Sequence, residues 1–245
     1  MTQADETSEF GLKEDWTSVQ TVLEQIIPVY DKTNRYISLG TDLKLRNRGI
    51  SLLISGFAQR NFSLVDLGAG TGTMTKLLKD VTTENQVQIL LVDPLSKMMQ
   101  VAAARTHENG LLAVYECLPF RGGAIDSAMA GFSLRDARNL SEALRQISRM
   151  LKDEGKFLIV DLSKPDSATK GALISAYWQF LAPAIAFLSS GRLGLKFGAL
   201  ARTYQKLPKI SEFKRIAAEQ GFIVSNAEFS MLGGAGVMLL TKIPR

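Results

Sequence analysis

A chain of 245 residues, 46% hydrophobic and 22% charged, has the composition of a globular protein with a sizeable core, which excludes a low-complexity or largely disordered chain. Its net charge of +5 and pI near 9.3 give a moderate basic bias that names no partner by itself. One cysteine, Cys117, and one histidine, His107, exclude an internal disulfide and a thiolate metal cluster and leave little raw material for zinc or a Cys–His nucleophile, so no metal site is expected.

Residues 1–13 read as a disordered acidic tail carrying Asp5, Glu6 and Glu9, without the features of a secretory signal, which points to the cytoplasm. The single domain expected over 14–245 opens with a helical lid at 14–60. There Val19, Val22, Leu23, Ile26 and Ile27 recur at helical spacing, Pro28 interrupts, and Gly40 and Asp42 mark a turn before a helix through Leu45, Ile50, Leu53 and Ile54. From Phe62 onward apolar strands alternate with amphipathic helices. The pattern predicts strands at 62–67, 87–92, 111–116, 125–132 and 156–162, and helices at about 73–80, 94–105 and 139–151, with Asp153-Glu154-Gly155 breaking the last. Such β-α units imply a mostly parallel, doubly wound sheet covered on both faces, with its ligand at the carboxyl ends of the strands.

The apolar run Ala172–Leu188 falls short of the ~20 residues a spanning helix needs, and Gln179 and Pro183 interrupt it. It reads as part of a helical cap over 165–207, lining a greasy pocket or touching a bilayer. Arg192, Lys196, Arg202, Lys206, Lys209, Lys214 and Arg215, opposed only by Glu212, supply the basic charge that anionic headgroups attract. An amphipathic helix over 210–218 closes at Gly221, and strands at 222–228 and 237–241 form a hairpin at the sheet edge.

The chemistry is concentrated in Leu64–Thr73. Val65 and Leu67 suit a buried strand, and Gly68, Gly70 and Gly72 let the chain turn tightly against a ligand held by backbone N–H groups and a helix start. A dinucleotide fingerprint would require glycine where Thr73 stands. Asp66, inside the strand, would repel a pyrophosphate but could hold an ammonium group, and Asp93, ending the second strand, could accept from both ribose hydroxyls. A nucleoside carrying an amino acid, S-adenosylmethionine, suits both acids; the bland alternative is a purely structural strand-to-helix turn. The neighbouring positions Ala69, Pro94, Glu116, Cys117 and Gly131 complete the expected cofactor contacts.

With these residues in hand, the chain resembles class I S-adenosylmethionine-dependent methyltransferases. Through Gly131-Phe132-Ser133-Leu134-Arg135-Asp136, Leu162-Ser163-Lys164-Pro165 and the N-terminal Tyr30-Asp31, Asn34, Ser38, Gly40 and Arg46, it is similar to the ubiquinone/menaquinone biosynthesis C-methyltransferase family. The resemblance implies a doubly wound seven-stranded sheet with the last strand antiparallel, and a polyprenylated quinol or phenol as substrate. It also implies that Arg135 and Tyr30 lie at the reacting ring. Departures are Asp136 in place of an asparagine, Leu45 in place of a tryptophan, and Val114 in place of an acid or amide, so that Glu116 is left to meet the adenine amino group.

Carbon methylation needs the ring hydroxyl deprotonated, and a phenolic pKa near ~10 makes that hard at neutral pH. Arg135 would stabilise the phenolate, with Asp136 or Asp31 accepting the proton. Competing readings are a methyltransferase of another lipid or small phenol, an RNA methyltransferase lacking the usual Pro-Pro-Tyr and Pro-Cys motifs, and a cofactor-binding subunit without turnover. A peripheral contact with the inner face of the membrane and a homodimer both remain compatible with the sequence.

Overall fold

The computed structural model describes residues 10–57, 61–83 and 86–244, the side chains of 199–202 excepted. Seven strands form one sheet in the order β3-β2-β1-β4-β5-β7-β6. They are β1 Phe62–Leu67, β2 Val87–Val92, β3 Gly110–Leu111, β4 Ile125–Gly131, β5 Leu151–Leu162, β6 Phe222–Ser230 and β7 Ala235–Lys242. All neighbours among β1–β5 are parallel, and β7 runs antiparallel between β5 and the edge strand β6. Chain order reverses at β1, which has β2 on one side and β4 on the other. That switch point opens a crevice beyond the carboxyl ends of these three strands.

Alternate residues of each strand feed two cores, one per face. On one face Val65, Leu67, Ala128 and Phe157 pack under α6 (Leu140–Met150) and α10 (Ile210–Glu219). On the other, Leu64, Met129, Leu158 and Val160 pack under α3 (Thr41–Ser55) and α4 (Thr73–Lys79). A third core does not touch the middle of the sheet. It joins the lid helices α1 (Trp16–Ile26) and α2 (Tyr30–Ile37) to the cap helices α7 (Ala168–Ala176), α8 (Ala182–Leu195) and α9 (Gly198–Gln205) through Leu23, Ile26, Ile37, Trp178, Ala186 and Tyr204. Burying each large side chain of this kind contributes about 1.5–3 kcal/mol, so lid and cap brace one another above the crevice. Thr33 and Ser190 share a hydroxyl hydrogen bond of 2.6 Å across the joint, and the Tyr177 hydroxyl donates to the Ile37 carbonyl.

Four sequence expectations are corrected. The strand expected over 111–116 pairs only at Gly110–Leu111; the chain then leaves the sheet, and the Cys117 N–H turns back onto the Val114 carbonyl. β5 begins at Leu151, not 156, because Asp153-Glu154-Gly155 is absorbed as a bulge, with Glu154 at φ 61° and the register shifting between Ile125 and Ser127. β4 ends at Gly131, since Phe132 takes φ 59° and turns the chain away. The tail expected over 1–13 lies outside the described residues at 1–9, but Phe10 to Lys13 is packed rather than frayed. Leu12 is buried, its N–H donates to the Ala137 carbonyl, and the Phe10 carbonyl accepts from Leu140.

The 28-residue run Ala168–Leu195, which contains an 18-residue stretch of mean hydropathy 1.5, is long and apolar enough to cross a membrane by length and composition. Its path is broken by a π turn at Tyr177–Leu181 and by Gly191 at φ 60°, after which Gly194 packs on the Ala186 carbonyl, where a Cβ would lie 1.9 Å away. Trp178 turns inward, while Leu173, Phe180, Leu181 and Leu188 are exposed.

Candidate active site

The glycine turn after β1 is built as its spacing predicts, with Gly68, Gly70 and Gly72 at φ 61°, 56° and 78°. The three do different things. A Cβ on Gly70 would meet nothing closer than 3.9 Å, so this residue faces open crevice. A Cβ on Gly72 would lie 3.0–3.2 Å from Thr106 and Ala102 of α5 (Ser96–Thr106), so Gly72 serves helix packing and is not on the crevice wall as expected. Asp93 ties the turn to β2: its carboxylate accepts the Gly70 N–H at 2.9 Å and the Leu95 N–H at 2.8 Å. Burial pushes its pKa up to about 6 against the pull of those two donors, and each oxygen keeps a lone pair for a further donor.

The crevice encloses about 710 Å³, counting the solvent at its open mouth. It is lined by Gly68, Ala69, Gly70 and Gly131, by Asp93, Pro94 and Glu116, and by Tyr30, Asp31 and Asp136. One oxygen of Glu116 accepts the Asn139 N–H at 3.0 Å, while the other is buried without a partner. Trp16 and Gln20 of α1 and Tyr115 and Ser133 also line it; no periodicity in the sequence singles them out.

Three further expectations need correction. Asp66 does not line the crevice. It lies under the turn, 1% exposed, with one oxygen accepting the Thr75 hydroxyl at 2.6 Å and the other unpartnered, and burial pushes its pKa up to about 7. Cys117 is exposed in the loop that replaces the missing half of β3 and does not reach the crevice. Asp31 is not a free base near Arg135: it pairs with Arg105 at 2.7 Å and accepts from Thr71 at 2.8 Å, latching α2 to the glycine turn.

A second, apolar pocket adjoins the crevice, sharing Arg46 and Phe132 as its wall and lined further by Ile37, Leu162, Trp178, Met231 and Arg135. Arg135 belongs to this pocket and not to the crevice proper. Its Nη1 donates to Asp161 at 2.7 Å, and its Nε stands 3.7 Å from Asp136. Burial works against its charge, yet Asp136 and Asp161 outweigh that and hold the guanidinium above its usual pKa. Asp136 responds oppositely: burial lifts it to about 6 although Arg135 pulls it down, and its Oδ1 has no hydrogen-bond partner. Burial also raises the Tyr30 phenol, within the fields of Arg135, Asp136 and Arg46.

Arg46 has a position in the motif but no role from the sequence. It is 8% exposed, its Nε lacks a partner, and its guanidinium lies 4.8 Å from the centre of the Phe132 ring. The signal that finds it is periodic: Arg46 falls in line with Ile50 and Leu53 on the buried stripe of α3, where a charge is out of place.

Solved structures with the same architecture include an S-adenosylmethionine-dependent methyltransferase from Thermotoga maritima, with a TM-score of 0.59 at 17% identity over 91% of this chain and 100% of that one. A geranyl diphosphate C-methyltransferase from Streptomyces coelicolor gives 0.57 at 12% identity over 82% of this chain and 80% of that one. The sheet order and the antiparallel β7 are therefore those of the class I methyltransferase fold. Among curated relatives, the demethylmenaquinone methyltransferase of Thermus thermophilus is 26% identical over 208 residues, 83% of this chain and 92% of that protein. The ubiquinone/menaquinone biosynthesis C-methyltransferase of Geotalea uraniireducens is 27% identical over 232 residues, 92% of this chain and 96% of that protein. The chain belongs to the ubiE/COQ5 methyltransferase family, whose pattern it matches over residues 10–241.

Proposed function

We propose that the crevice takes S-adenosylmethionine and that the adjoining apolar pocket takes the ring of a polyprenylated quinol or phenol, which is methylated on carbon. One observation carries the reading: a crevice with an acid at the ribose position shares a wall, Arg46 and Phe132, with an apolar pocket lined by Arg135, whose guanidinium is paired with the buried Asp161. The donor set fits the cofactor. Asp93 has lone pairs for two ribose hydroxyls, and the orphaned oxygen of Glu116 suits the adenine amino group.

When bound, S-adenosylmethionine supplies an electrophilic methyl group, so this chain provides no nucleophile; it aligns the ring and governs its charge. Asp136, with a pKa of about 6 and an unpartnered oxygen, accepts the proton of the ring hydroxyl. Arg135, held in place by Asp161, stabilises the phenolate in a pocket of low dielectric. Tyr30 orders the ring against the methyl donor. The lid, latched through Asp31 and Arg105, keeps water out. The exposed Leu173, Phe180, Leu181 and Leu188, with Lys170 and Arg192 nearby in sequence, form a surface suited to an anionic bilayer, from which a prenylated substrate could pass inward beside Trp178.

The test is incubation with methyl-labelled S-adenosylmethionine and a membrane lipid extract, followed by mass spectrometry. Label on a ring carbon of a prenylated quinone is expected. Label confined to RNA or to a small phenol, or no transfer at all, overturns the proposal. Flotation with vesicles rich in anionic lipid checks the surface: binding should fall in the Phe180→Ser, Leu188→Ser double variant, and unchanged binding removes the membrane role.

A further inference from the structure

Two arginines are buried to the same extent in this site, and only one has its charge met. Arg135 and Arg46 are each 8% exposed. Arg135 has Asp161 at 2.7 Å and Asp136 at 3.7 Å. Among the described residues Arg46 makes no ion pair. Asp42, Asp66 and Asp31 act on it only through their fields, and its Nε is a buried donor with nothing to donate to. A guanidinium removed from water without an anion is costly, and the stacking on Phe132 offsets only part of that cost. A site that tolerates this in the free protein is one built to receive an anion.

The position of Arg46 says which anion. Its Nη1 overlies Gly131, where a Cβ would stand 2.4 Å away, so the glycine at the end of β4 is what admits the guanidinium to the crevice. Asp93 follows β2 and Gly131 ends β4, on opposite sides of β1, and Glu116 lines the same crevice. A ligand whose sugar and base are held by Asp93 and Glu116 has its remaining portion directed past the glycine turn toward Arg46. A buried guanidinium without an anion, on the crevice wall beside the glycine turn, matches the carboxylate of an amino-acid tail. A phenolate in the neighbouring pocket is a weaker candidate, since it is charged only during turnover, whereas a carboxylate is charged throughout and fits the guanidinium fork by two hydrogen bonds.

We infer that Arg46 is the receptor for the α-carboxylate of the methyl donor's amino-acid tail, a positioning contact that fixes the sulfonium end of the cofactor between the two pockets. The inference rests on the reading of the crevice proposed above and is tested so that the two can fail separately.

Calorimetry compares the whole protein with its Arg46→Met and Arg46→Lys variants, using S-adenosylhomocysteine, its decarboxylated analogue and methylthioadenosine as ligands. In Arg46→Met, affinity for S-adenosylhomocysteine should fall on the order of 10- to 100-fold, while the two ligands without a carboxylate change by less than about two-fold; Arg46→Lys should fall between. Undiminished binding of S-adenosylhomocysteine by Arg46→Met overturns the inference and leaves the crevice reading intact. A parallel loss of all three ligands overturns it too, by making Arg46 a support of the crevice wall. Failure of the unaltered protein to bind S-adenosylhomocysteine or methylthioadenosine removes the crevice reading and the inference together.

Discussion

The crevice and the apolar pocket beside it solve the problem of a buried charge in opposite ways. In the pocket, Arg135 arrives with its counter-charge supplied by the chain, Asp161 at the end of β5 and Asp136 next to it in sequence. In the crevice, Arg46 makes no ion pair among the described residues, and its Nε has no hydrogen-bond partner. The first arrangement has its charge balanced by the chain before any ligand enters, as a group proposed to keep its place through a reaction requires. The second is left open and belongs to a group whose partner comes and goes.

The sharpest way to break this comparison is to remove each guanidinium in turn. Arg135→Ala should lower the methyl-transfer rate by about 10³-fold. It should also cost about 3–5 kcal/mol of unfolding free energy in urea titrations, because Asp161 is left buried without its cation. Adding Asp161→Asn should restore much of the stability and none of the rate. Arg46→Met, by contrast, should leave unfolding within about 1 kcal/mol of the unaltered chain, since no buried carboxylate loses an ion-pair partner. Equal destabilisation by the two would erase the distinction.

Next in size is the acid that follows β2. Asp93→Ala should weaken S-adenosylhomocysteine by about 100-fold in calorimetry, since the ligand's sugar loses a charged acceptor and the Gly70 N–H is freed from its tether. Unchanged affinity would remove the ribose assignment. A smaller effect separates the acid of the crevice, Asp136, from the arginine of the pocket. The rate under saturating substrate should rise with pH through about 6 as Asp136 loses its proton, and this inflection should be absent in Asp136→Asn.

The smallest effect concerns the carboxylate under the turn. Burial lifts Asp66 from 3.8 to about 7, so between those values the folded chain holds a proton that the unfolded chain has released. Stability of the ligand-free protein therefore falls as pH rises through that window. Asp66→Asn should stabilise the protein at pH ~8 by about 1–2 kcal/mol and have little effect near pH ~4. A variant equally stabilised at both values would show that the proton is not the cause.

Much of this was readable in the sequence because it is local. β1 and β2 begin and end where alternation and flanking polar residues place them, and Gly221 closes α10 at φ 83°. The glycine turn and Asp93 sit in the crevice because five consecutive backbone units and one strand end suffice to build that corner. What could not be read depends on neighbours far along the chain. Asp31 is claimed by Arg105, 74 residues away, before it can act as a base. Cys117 was misplaced because nothing local says that β3 stops after two pairs.

The residues alone determined the glycine turn and the end of the sheet at which it opens, since turn geometry and strand alternation are properties of short stretches. Only the folded chain decided which charges are cancelled. Asp66 turned under the turn, Asp31 became a latch, Arg135 was paired and Arg46 was not. The reason is that a charge is neutralised by whatever lies within about 4 Å in space, and in a doubly wound sheet those neighbours come from strands and helices far apart in the chain.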